Sequence, residues 1–264
     1  MSVRDSIRIA SPGHAAFAVT LICLGIMGLV TRDFSQMWQP VPKWVPGRTA
    51  LAFLCATISL GTGIGLLWRR WAPVASRVLL VALLVWLLVL RLPNLFYEHP
   101  LVLVAWTFGS TAVMAAAAWV LYVSFARERD PARPGLLADA PGLRLARTLY
   151  GLSLIPFGLA HFMYLDATTV LIPNWLPGHV AWAYFTGAAF IAAGVAVCVG
   201  VLAYPAAALS GLQMGLFTLI VWLPRMIAGT VTEFQRGEFI SSCALTAGAW
   251  VVADSYRAPR GSVT

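Results

Sequence analysis

Val41-Pro42-Lys43-Trp44-Val45-Pro46-Gly47-Arg48 returns 131 positions later as Ile172-Pro173-Asn174-Trp175-Leu176-Pro177-Gly178-His179. The same offset, without a gap, pairs Ala50 with Ala181, Ala52 with Ala183 and Gly63 with Gly194. Further on it pairs Leu92-Pro93 with Leu223-Pro224, Ser110 with Ser241 and Trp119 with Trp250. Apolar bias alone does not keep one register over that distance, so the chain reads as two copies of one unit. In each copy prolines flank the tryptophan and glycine follows. Such a turn is stiff, presents an indole, and starts the next helix.

Outward from these turns the sequence is dominated by apolar blocks. Sixty per cent of residues are hydrophobic and 11% are charged, with a mean hydropathy of +0.81. A water-soluble domain cannot hide that much apolar side chain behind so little polar surface. The blocks fall near His14–Thr31, Thr49–Trp68, Val78–Leu92 and Leu101–Phe125, then near Leu145–Leu165, Ala181–Gly200, Tyr204–Leu223 and Phe239–Ser255. They are continuous and do not alternate, which implies helices and excludes a barrel. The expected fold is an all-α integral membrane protein: eight transmembrane helices as two parallel four-helix repeats, residues 1–125 and 144–264. Residues 126–143, rich in Pro, Gly and mixed charge, are expected to be a cytoplasmic linker.

The net charge of +8 orients the chain rather than marking a nucleic-acid surface. With eight spans, 12 of the 18 basic residues fall on the face holding both termini and the linker, and 6 on the other. The positive-inside rule then places both termini in the cytoplasm and the Trp-Pro-Gly turns outside. The expected location is a bacterial inner membrane, crossed several times, with the lipid bilayer as the first partner. The Ser11-Pro12-Gly13 break before the first block is expected to start a retained helix, not a cleaved leader.

Small residues are expected to bring helices close at Gly61-x-x-x-Gly65 and Gly211-x-x-x-Gly215. Trp38, Trp44, Trp175, Trp182 and Trp222 are expected in an outer interfacial belt, and Trp68 and Trp71 in an inner one. The four cysteines, Cys23, Cys55, Cys198 and Cys243, lie in separate apolar blocks without a Cys-x-x-Cys pair, and read as packing residues. With four histidines and no i, i+4 pair, no metal site and no bound cofactor is expected.

The second half carries the richer set of polar residues. His161 and Asp166 close its first span, His179 opens the next, and Arg225 follows the Leu223-Pro224 break. An imidazole among acidic and basic groups could hold a quinone headgroup or relay protons. At the 131 offset His161 faces Val30 and Arg225 faces Asn94, so neither is required by the repeat. Gln213, within a span, is expected to bond between helices and is kept as a ligand candidate. Glu233, Arg236 and Glu238 are expected in the last outer loop, at the water surface.

The segments Tyr150-Gly-Leu-Ser, Gly158-Leu-Ala-His161-Phe162, Ile172-Pro-Asn-Trp-Leu-Pro-Gly-His179 and Trp182-Ala-Tyr-Phe-Thr-Gly187 resemble the DoxX-like family of bacterial membrane proteins. The resemblance covers about residues 145–255, and more weakly 14–125, where Leu-Cys-Ala-Thr stands in place of Phe-Thr-Gly. It implies four-helix membrane units, here fused as a pair, and a subunit associated with quinone-linked redox complexes. It transfers no catalytic set, and the paired cysteines of some redox relatives are missing. Three readings of function follow, in this order. The first is a membrane subunit or anchor of a quinone-linked redox system, with a soluble or membrane redox partner and quinone as ligand. The second is a small-molecule carrier with its pathway between the repeats. The third is a stand-alone membrane enzyme on a lipid-soluble substrate.

Overall fold

The computed structural model describes residues 9–34, 41, 43, 45–129, 137–229 and 231–257. It is all-helical, without a β-strand among the described residues. The helices are α1 (Pro12–Thr31), α2 (Arg48–Leu67), α3 (Ala72–Val85), α4 (Asn94–Tyr97), α5 (Leu101–Arg129), α6 (Ala140–Met163), α7 (Leu165–Thr169), α8 (His179–Val199), α9 (Ala203–Phe217), α10 (Leu223–Ile227) and α11 (Glu233–Asp254). Wider π-helical turns, Trp86–Arg91 and Thr218–Trp222, continue α3 into α4 and α9 into α10.

Six helices are long and apolar enough to cross a membrane: Pro12–Thr31, Arg48–Leu67, Ala72–Tyr97, Leu101–Glu128, His179–Val199 and Ala203–Ile227. The protein is therefore a multi-pass membrane protein. The remaining two blocks read from the sequence form α6 and α11, of 24 and 22 residues. At about 1.5 Å per residue both are as long as a hydrocarbon core is thick. They carry more polar residues, among them Arg144 and Arg147 in α6 and Glu233, Arg236 and Glu238 in α11.

Residues at the ends shape these helices. Ser11 caps α1 through His14 N–H, Asp139 caps α6 through Gly142 N–H, and Thr232 with Gln235 forms a reciprocal capping box on α11. Within the stretch read as linker, α5 runs on to Arg129 and α6 begins at Ala140. Helix α5 continues through Ala126-Arg127-Glu128, all good helix formers, and Leu137–Asp139 packs back on it. There Trp119 Nε1 donates to Leu137 O at 2.9 Å and Arg127 Nε to Ala138 O at 3.2 Å.

Each π turn ends beside a proline. Pro93 and Pro224 lack an N–H, and their rings would clash with the preceding turn of a regular helix. Widening that turn relieves the clash, and Leu92 N–H bonds to Leu87 O at 2.7 Å across it. The block expected at Val78–Leu92 thereby becomes a span of 26 residues.

Neighbouring helices pack as α1 on α2, α2 on α3, α3 on α5, α5 on α6, α6 on α8, α8 on α9 and α9 on α11, with α11 closing on α1 and α5. Residues Gly109–Leu121 of α5 are buried on every side, as expected of a helix apolar all round at the centre of a bundle. Against them lie Ala244, Ala247, Ala249, Val251 and Val252 of α11. The chain exposes many large apolar residues elsewhere, such as Val81, Val85 and Val89 along α3, which suits a lipid-facing surface.

Close approach is glycine-dependent, but not everywhere the sequence suggests. A Cβ on Gly211 or Gly215 would meet Ala249 or Thr246 of α11 at 3.2–3.3 Å. Gly61, in contrast, has nothing within 4 Å, and only Gly65 of that motif meets a neighbouring helix, at Ala75. Tighter contacts lie between α6 and α8: a Cβ on Gly158 would stand 2.4 Å from Gly187 O, and one on Gly194 2.6 Å from Gly151 O.

Trp222 is another departure. It is 7% exposed and buried beside Phe217 rather than placed in a belt. A π turn adds a residue, and each residue rotates a helix face by about 100°. Trp175, Trp182, Trp68 and Trp71 are exposed. Trp38 and Trp44 lie outside the described residues.

Candidate functional site

The α6–α8 contact builds the surroundings of His161. With Gly158 pressed on Gly187, the next turn of α6 brings His161 against Gly187 and the Phe190 ring, 5.6 Å away. His161 Nδ1 lies 2.7 Å from Phe157 O. A carbonyl only accepts, so Nδ1 carries the hydrogen, and the neutral ring keeps a lone pair on Nε2. Phe162 stacks on Tyr184 at 5.6 Å and 26°, and Trp182 meets Phe185 edge-on at 5.8 Å.

The glycine contacts of α1 and α6 keep a register different from the 131-residue offset. Gly25 packs on Ala56 and Leu60, and Gly158 on Gly187 and Ile191. Those targets are 131 apart while Gly25 and Gly158 are 133 apart, so α1 and α6 align two residues out of the common register. Gly28, 133 residues before His161, also packs on Ala56.

Both Trp-Pro-Gly turns end in a left-handed glycine, φ +68° at Gly47 and +73° at Gly178. Only glycine takes that conformation without strain. After Gly47, Arg48 pairs with Asp33, donates to Val41 O at 3.2 Å and lies over Phe34. The second turn lacks this clamp, and beside it lies a surface recess of about 260 Å³ lined by Pro177, Gly178, Ala181, Trp182 and Phe185.

No hydrogen bond or ion pair joins His161, Asp166, His179 and Arg225 among the described residues, and none of them lines the recess. Asp166 is exposed on α7, His179 is half-buried at the start of α8, and Arg225 lies over the Trp222 ring at 5.4 Å. Gln213 Nε2 donates to Thr186 O at 3.0 Å, tying α9 to α8. Gln213→Leu should lower stability by about 0.5–1.5 kcal/mol. Thermal unfolding in detergent measures it, and an unchanged midpoint would show the bond contributes nothing.

Two charged side chains, Arg91 and Glu238, are buried. Arg91, 4% exposed, reaches Thr107 Oγ1 at 3.5 Å from the first π turn. Glu238, expected at the water surface, is 7% exposed inside α11. The Thr232-x-x-Gln235 capping box was the available sign that helix begins before Glu238. No group of three or more His, Cys, Asp or Glu stands placed for a metal ion among the described residues.

Compared with protein-family models, curated proteins and solved structures, the chain matches none.

Proposed function

We propose that this is a DoxX-like inner-membrane protein of two parallel four-helix units and eight spans, serving as the membrane subunit of a quinone-linked redox system. The doubled architecture is supported by the helix pairs in contact. Laying the first half on the second exchanges α1–α2 with α6–α8, α2–α3 with α8–α9, α3–α5 with α9–α11, and α1–α11 with α6–α5. Only α5–α11 maps onto itself, as a contact on a twofold axis must.

The observation that carries the ligand reading is the aromatic surface around the second Trp-Pro-Gly turn. Trp182, Phe185, Tyr184 and Phe162 offer flat apolar faces there, and Trp175 is 71% exposed. Such faces suit stacking of a planar, lipid-soluble ring. His161 Nε2, one helix contact away, is able to accept a proton from a quinol hydroxyl. A soluble or membrane partner would exchange electrons with the ligand.

The carrier reading is disfavoured by the packing between the halves. The α5–α11 seam is filled by small apolar residues, and a Cβ on Gly248 would already touch Ala117 and Val113 at 3.4 Å. An enzyme reading lacks support from a converged set of groups.

The test is purification of the full chain in mild detergent, followed by mass spectrometry of extracted small molecules and an absorbance spectrum. Co-purifying quinone, diminished severalfold in Trp182→Ala, is the expected result. Protein that retains no quinone, even after reconstitution in quinone-loaded lipid, would refute the ligand assignment.

A further inference from the structure

Glu238 sits one turn and a half into α11 with 93% of its surface covered, and it has neither a hydrogen bond nor an ion pair among the described residues. A carboxylate without a donor is disfavoured there, and binding a proton removes most of that cost. Going inward on the same face, at i+4 and i+8, come Ser242 and Thr246. Thr218, in the second π turn, joins them: its hydroxyl lies 2.6 Å from Ser242 Oγ and 3.4 Å from Thr246 Oγ1. A buried acid thus heads a row of hydroxyls between α11 and the widened turn of the α9 span.

The groups around it do not neutralise a carboxylate. On α11 itself Glu233 and Arg236 lie toward the helix start and Cys243 lies deeper. From α10, Arg225 turns over Trp222. On α1, Cys23 lies deeper and His14, at the opposite end, bonds to Leu66 O. From α6, His161 bonds to Phe157 O and Tyr150 to Ser210, and Arg147 is held by Ser255. The π turn Thr218–Trp222 carries no titratable group. Tyr204 of α9 is bonded to Arg257, and on α5 Tyr122, Arg127 and Glu128 stand at the far end.

We propose that Glu238 is a proton-binding site of the second unit, taking up one proton from water at the start of α11 and releasing it there, with the Ser242–Thr218–Thr246 hydroxyls as its inward continuation. The site is independent of the quinone assignment, so either can fail alone.

Dicyclohexylcarbodiimide is the probe, because it partitions into apolar regions and reacts with carboxyl groups that carry their proton. The purified full chain is treated over a range of pH and the peptide containing Glu238 is examined by mass spectrometry. The expected result is labelling of Glu238 that falls about tenfold per pH unit above its midpoint, is abolished in Glu238→Gln and persists in Glu98→Gln, altered at the end of α4. Absence of label at every pH in protein that remains monodisperse would overturn the proposal, as would labelling that does not change with pH. Protection by sodium chloride at fixed pH, but not by choline chloride, would also overturn it, by assigning the carboxylate to a metal cation.

Discussion

Gly158→Ala is expected to destabilise the protein by at least about 1–3 kcal/mol, whereas Gly61→Ala leaves stability unchanged or raises it by up to about 1 kcal/mol. Both glycines lie in helices of the same bundle, and the two substitutions are chemically identical. At Gly158 the new methyl group would lie 2.4 Å from the backbone oxygen of Gly187. A backbone oxygen cannot rotate aside as a side-chain end can, so α6 and α8 must separate. Separation also disturbs the neighbouring contact of Gly151 with Gly194 and the seating of His161 on Gly187. Gly61 faces open space, so alanine there meets nothing and only improves helix propensity. Thermal unfolding of the two variants in one detergent decides the matter. Equal midpoints would mean that the close α6–α8 approach does not stabilise the bundle.

Cysteines placed at Lys43 and at Asn174, in a chain with its four native cysteines replaced by serine, should both react with a membrane-impermeant maleimide added to intact cells. A cysteine at Arg257 should react only after lysis. Successive helices run antiparallel: Gly25 meets Leu60 while Gly63, further along α2, meets Ile22, earlier in α1. On the proposed eight-span reading, four spans between the two turns bring them to the same end of the bundle, and the arginine excess near the termini directs that end outwards. The effect is all-or-none, because the reagent does not cross the bilayer. Labelling of one turn without the other would remove the eight-span, two-unit reading. Labelling of Arg257→Cys alone in intact cells would keep the two units and invert them.

Much of the helix content was legible because apolar blocks longer than a bilayer is thick have few alternatives to helix. The ends were less so. Ala72–Arg77 precede the block read from the sequence, yet Pro73 at the helix start and buried Ala75 and Ser76 extend α3 through them. Glu238 was read as loop because a charge ends an apolar block, although a capped helix carries it inside. The lipid environment gives a weak side-chain pattern: an apolar residue suits both the bundle interior and the bilayer. Nothing in the order of residues therefore told Gly61, facing open space, from Gly158, pressed on a backbone.

The candidate site shows the same division. His161 was singled out as a polar residue in an apolar block, and the α6–α8 contact does seat it against aromatic rings. Asp166, His179 and Arg225 were grouped with it by nearness in sequence and by depth. No hydrogen bond or ion pair joins them to it among the described residues. The π turns add a further rotation, carrying Trp222 inward with Arg225 over it.

By itself the sequence determined that this chain is a helical, multi-pass membrane protein with two related Trp-Pro-Gly turns, because total apolar content and repeat register are properties of residue order. Only the tertiary structure decided which glycines let helices touch, which tryptophan is buried and which carboxyl group lies without a partner. Those depend on how far each helix is rotated about its own axis. That rotation is set by packing against neighbours distant in the chain, through contacts of a few ångströms that no local pattern encodes.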